Sequence, residues 1–171
     1  MMGKRPMLGV AGIAEKKLDE EKLKNFLDFY DFLNAHELGT RKVVNRWGIR
    51  WSITYAGKKI GSFSIRGDSW SISFFHLFHT KKWFENCEKY LTNEMKGFVL
   101  ANINTTSSCC VKRICQSVEN ATILGKSFSG RVCGCEPFTI DNPYGKTLLY
   151  AKDLTAICRD TFAEWLENGI V

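Results

Sequence analysis

The sequence predicts an α+β domain, an antiparallel meander sheet with helices packed on one of its faces. Three observations lead there. The stretch WGIRWSITY, Trp47 to Tyr55, alternates apolar and polar residues throughout, the period of a half-buried strand. Two more strand-like runs follow across short turns, and one register aligns all their apolar residues. Segments with helical periodicity stand on either side of these strands in the chain.

Residues 1 to about 16 read as a flexible lead-in rich in Gly and Lys, and residues 17–171 as a single α+β domain. A helix comes first. Asp19 is placed to cap it, Glu20 and Glu21 suit its first turn, and Leu23, Phe26, Leu27, Tyr30 and Leu33 make one apolar face. It should end before Gly39. Residues around Arg41 to Asn45 are a candidate extra strand.

After Tyr55, Ala56-Gly57-Lys58 reads as a three-residue loop, Lys59 to Ile65 as the next strand, Gly67-Asp68 as a tight turn, and Ser69 to about Phe75 as the third strand. These loops set Ile65 against Trp70, Phe63 against Ile72, Ser64 against Ser71, Ser62 against Ser73, Trp51 against Phe63 and Ile49 against Ile65. A slip of one residue would mix the faces. One face therefore collects Trp47, Ile49, Trp51, Ile53, Phe63, Ile65, Trp70, Ile72 and Phe74. The other collects Arg50, Ser52, Thr54, Ser62, Ser64, Ser71 and Ser73.

Helices are expected after Thr80 (Trp83, Phe84, Cys87, Leu91), after Thr92 (Met95, Phe98, Val99, Ile103), and from Asn142-Pro143, read as a cap with proline at the first helical position. The last carries Leu154, Ile157, Cys158, Phe162 and Trp165 and should end at Gly169.

The net charge of +6 permits contact with nucleic acid or a membrane surface, but no run of five like charges sharpens that. No stretch approaches the ~18 apolar residues of a membrane helix, so no membrane partner is expected. No secretory signal is visible, and the reading is a cytoplasmic protein whose seven cysteines are thiols or metal ligands. The RGD at Arg66 to Asp68 reads as a hairpin turn.

Five cysteines fall in a segment at about 105–140: Cys109, Cys110, Cys115, Cys133 and Cys135. Zinc takes four such ligands when a hairpin brings two pairs together, and ATILGKSFSGRVCGC is a candidate hairpin with Gly125 and Gly130 at its bends. The spacing is not that of a zinc ribbon, so inert buried thiols and a redox pair using Cys133 or Cys135 stand beside zinc. Cys87 and Cys158 sit on apolar helical faces and read as core.

His76 and His79 flank Phe78 at the sheet-to-helix junction. They are a candidate ligand pair against a simpler reading as polar residues at a helix entry. On the hydroxyl face, Arg50, Ser52, Ser62 and Ser64 are candidates for holding an anion or a nucleic-acid backbone, against the simpler reading of a solvated face and a second one in which the cysteine segment lies across it. No phosphate-binding loop, dinucleotide-binding glycine pattern, nucleophile elbow or HExxH motif is present.

With the sequence SCC…C…ILGKSF…VCGC…F…NP followed by KTLLYAKDLTAICRD, residues 20 to 165 resemble small bacterial proteins of unknown function. The sheet region is similar to YdhG-like domains, which share a helix followed by a meander. The resemblance implies a compact intracellular domain and brings no catalytic residues.

Three functions follow as expectations. The first is a non-enzymatic domain that binds a small ligand or a cysteine-ligated zinc. The second is a regulatory or interaction module that contacts nucleic acid or protein through Arg41, Lys42, Arg46, Arg50, Lys58 and Lys59. The third is a thiol-dependent redox protein. The abundant Tyr and Trp also leave an oligomer open.

Overall fold

The computed structural model describes residues 9–45, 48–74, 87–103, 118–132 and 138–169. Its helices are α1 (Val10–Ala14), α2 (Glu20–Ala35), α3 (Asn93–Ala101) and α4 (Gly145–Glu167). The main sheet joins β1 (Gly39–Asn45), β2 (Gly48–Tyr55), β3 (Lys58–Arg66), β4 (Ser69–Phe74) and β9 (Phe138–Asp141), every neighbour antiparallel, in the order β1-β2-β3-β4-β9. Two short pairs, β5 (Val118–Glu119) with β8 (Arg131–Val132) and β6 (Thr122–Ile123) with β7 (Lys126–Ser127), form nested hairpins. Gly125 sits in the inner turn at φ 77° and Gly130 takes φ 93° in the outer one, so both mark bends as expected.

The helices cover one face of the sheet, the arrangement the alternation predicts. Phe26 of α2 meets three sheet rings edge-on, with centroids 6.3 Å from Trp51, 5.7 Å from Phe63 and 5.3 Å from Trp70. Trp51 and Phe63 stack on each other at 5.2 Å. Edge-to-face and offset contacts suit the ring quadrupoles, on top of the large area each ring buries. The α4 helix meets the same face through Phe162 against Tyr55 and is tied to α2 by Lys152 and Asp28 at 2.8 Å. The α3 helix adds Phe98 against Phe138 and Tyr150.

The predicted pairings of β2, β3 and β4 all occur. The route between β2 and β3 differs. The turn is two residues, Ala56-Gly57 at φ 47° and 75°, and not the three-residue loop expected. The extra residue appears instead as a bulge: Thr54 pairs with Lys59, but Ile53 pairs with Gly61, leaving Ile60 over. A bulge inserts one residue into one strand, so the register beyond it is the same as for a longer loop. The buried Ile60 fits this choice: regular pairing after a three-residue loop would set it opposite Thr54 on the hydroxyl face, whereas the bulge lets it join the core.

Three other differences have local causes. The lead-in expected to be flexible contains α1, which buries Ile13 and Ala14. The apolar residues of VAGIA outweigh its one glycine. The C-terminal helix does not start at Asn142-Pro143. It starts at Gly145, and the Tyr144 N–H donates to Thr147 Oγ1 at 3.0 Å. Asn142, at φ 42°, ends β9 instead. Finally, β9 is a fifth strand beyond the four expected.

The expected Asp19 cap is present, and α3 starts after Thr92 as expected. Asp19 Oδ1 accepts from the Lys22 N–H at 2.9 Å, and Thr92 Oγ1 accepts from the Met95 N–H at 3.2 Å. Gly169, at φ 64°, follows the end of α4. Trp47 and most of the helix expected after Thr80 lie outside the described residues. Cys87 and Leu91, at the end of that segment, are buried beside a short 3-10 turn at Glu88–Tyr90.

Candidate functional site: the hydroxyl face of the sheet

Directly paired residues share a face, so the register builds rows across the sheet. One row reads Arg41, Ser52, Ser62, Ser73, Thr139 and crosses all five strands. The next reads Val43, Arg50, Ser64, Ser71, Asp141. Six hydroxyls thus lie in the middle of the face. The β1 side carries two guanidinium groups and the β9 side one carboxylate.

The expectation of a solvated face is overturned at the centre. Relative exposure is 7% for Ser52, 1% for Ser62, 6% for Ser64 and 4% for Ser73, whereas Arg50, Ser71 and Thr139 are half-buried and Arg41 is exposed. The physical consequence is a shielded polar strip with charged ends. A buried hydroxyl is costly without a hydrogen bond. Part of that need is met within the face, since Ser64 and Ser71 share a hydrogen bond at 3.0 Å and Ser73 and Thr139 share one at 3.3 Å.

Of the residues singled out from sequence, Arg50, Ser52, Ser62 and Ser64 are brought together in two adjacent rows. His76, His79, Cys109, Cys110, Cys115, Cys133 and Cys135 lie outside the described residues. Among the described residues, no three His, Cys, Asp or Glu side chains gather to hold a metal ion. Cys87 and Cys158 are fully buried thiols that form no disulfide. Burial pushes the Cys87 thiol up to about 12 and the Cys158 thiol well above the ordinary range, so both stay protonated and unreactive.

The basic residues proposed as an interaction surface do not share one face. Arg41 and Arg50 belong to the hydroxyl rows, Lys42 pairs with Trp51 in an apolar row, and Lys58 and Lys59 lie at the β2-β3 turn. Arg46 lies outside the described residues. Sequence reasoning missed Thr139 and Asp141 on the hydroxyl face. The alternation of FTID was the available signal, with Phe138 and Ile140 buried in the core.

Among the described residues, no helix is long and apolar enough to cross a membrane. No protein-family model matches the chain, and no curated protein or solved structure matches it.

Proposed function

We propose that this protein is a non-enzymatic binding domain whose ligand is a small polar anion, held on the hydroxyl face beside Arg50. The observation that carries the reading is the burial of Ser52, Ser62, Ser64 and Ser73. A face used only for packing would be expected to carry apolar residues, and a face used only for solubility would be wet. A strip of shielded hydroxyls beside a half-buried guanidinium suits a ligand that brings its own oxygens and negative charge. His76 and His79 belong to the same proposal as additional ligand contacts.

The reading retains the cytoplasm as the compartment and kinship with the small bacterial proteins named above. Zinc at Cys109, Cys110, Cys115, Cys133 and Cys135 is the form that metal binding would take. Elemental analysis of protein purified without chelator, with a thiol count on the same sample, decides it.

Titration with inorganic phosphate, sulfate and small dicarboxylates, followed by thermal unfolding and calorimetry, tests the anion site. A ligand at a hundredfold excess over its Kd should add ~2.7 kcal/mol of stability. Arg50→Gln and Ser62→Ala should weaken the effect while leaving the fold intact. An equal shift in wild type and both variants would remove the hydroxyl face as the site.

A further inference from the structure

Between Glu37 and Asp68 the chain carries Arg41, Lys42, Arg46, Arg50, Lys58, Lys59 and Arg66 and no acidic residue. That span is +7 in a chain of net +6, so everything outside it sums to −1. It contains β1, β2 and β3. The net positive charge of the chain is therefore carried by the segment that builds β1, β2 and β3.

In the described sheet this segment supplies the β1 edge. In the sheet order β1-β2-β3-β4-β9, the two edges are unequal. The outer side of β9 is met by an isolated bridge from Ile103 to Phe138. β1 is longer, and among the described residues nothing pairs with its outer side. Arg41 and Lys42 are exposed with no ion-pair partner among the described residues, and Val43 beside them is 41% exposed. An uncovered edge presents a row of unpaired N–H and C=O groups, ready to template another strand.

We infer that β1 is a docking edge for an acidic peptide, which adds as a sixth, extended strand. The charges choose this occupant. Arg41 and Lys42 are successive residues, so they project to opposite faces of the sheet. A nucleic-acid backbone lying on the hydroxyl face would reach Arg41 and Arg50 and leave Lys42 unused. A strand along the edge has the same alternation as β1, so two successive acidic residues satisfy both cations at once. A second copy of β1 is disfavoured, because antiparallel pairing centred on Lys42 would set Lys42 against Lys42. In antiparallel pairing the fitting sequence is a β-branched residue opposite Val43, then two acidic residues opposite Lys42 and Arg41.

The test uses the full chain and a fluorescent peptide, Thr-Val-Glu-Glu-Val-Thr, in an anisotropy titration at low salt. Saturable binding is expected. The Arg41→Glu, Lys42→Glu double variant changes two exposed side chains and should keep the wild-type circular dichroism spectrum. It should bind at least tenfold more weakly, and a peptide with lysines in place of the glutamates should restore binding to it. Two further peptides carry N-methyl groups on alternate residues, one set of residues in each peptide. A strand pairs along one side only, so one methylated peptide should bind and the other should fail. Equal binding of both would show charge attraction without strand pairing and overturn the inference. So would no binding of the parent peptide, or a single-stranded oligonucleotide that binds more tightly than it.

Discussion

Asn142 grips the backbone of Trp70 twice. Its side-chain Oδ1 accepts from the Trp70 N–H at 2.9 Å, and its own N–H donates to the Trp70 carbonyl at 2.8 Å. The first residues of β4 are thereby joined to the end of β9, across 72 positions of sequence. Trp70 lies in the aromatic core against Phe26 and Phe29, so the clasp fixes a core ring through its main chain.

Asn142→Ala removes the acceptor and places a side chain that avoids positive φ at φ 42°. It should cost about 1–3 kcal/mol, because the Trp70 N–H loses its partner in a partly buried place. Asn142→Gly accepts the backbone angle but still lacks the acceptor, and should cost less than the alanine variant. Urea unfolding of both variants checks the order. Equal stability of wild type and Asn142→Ala would show the clasp to be incidental.

Ala56 stands at φ 47° in the first position of a turn that favours Asn-Gly. Ala56→Asn keeps the turn type and relieves the left-handed alanine. A gain of roughly 0.5–1 kcal/mol is expected in thermal or chemical unfolding. The gain should not appear if the chain used the three-residue loop read from sequence.

Two surface clasps hold the ends of α4. Lys146 donates to Glu94, and Tyr90 and Lys89 both donate to Glu164. The Lys146 ammonium holds the Glu94 carboxyl below its ordinary value, and the Tyr90 hydroxyl, followed by Lys89, does the same for Glu164. A carboxylate lowered in the folded state stabilises fully above its unfolded value and loses that contribution as pH falls through the folded one. Stability should therefore decline below the ordinary glutamate value of 4.5. In the Glu94→Gln, Glu164→Gln double variant the decline between pH 5 and 3 should be shallower, by roughly the small amount typical of exposed pairs. Denaturant midpoints across that range measure it.

The buried thiols give a chemical check on the core. Cys87 and Cys158 should escape a water-soluble maleimide in native protein at pH 8, and label once denaturant is added. Peptide mapping by mass spectrometry reads each site separately. Labelling of Cys158 at the rate of an exposed thiol would contradict its place on the buried face of α4.

Much of the sheet was legible because its information is local. The alternation of Trp51, Ile53, Phe63, Ile65, Trp70 and Ile72 and the loops between them constrain the register, since a slip would turn each residue to the other face. Asp19 was legible as a cap, and Thr92 as the point where a helix starts, for the same reason: each contacts a backbone group three residues away. The FTID strand was harder to see. Four residues carry little periodicity, and their partner, β4, lies far back in the chain.

By itself, then, the sequence determined the α+β class, the meander, the pairing of Trp51 with Phe63 and the serine rows. Tertiary structure decided the bulge at Ile60, the role of Asn142 as a clasp, the fifth strand and the burial of the hydroxyl face. The physical reason is the range of each cause. Which face a side chain takes follows from its neighbours in the strand. Whether that face meets water depends on what the rest of the chain lays over it, and the alternation is the same in either case.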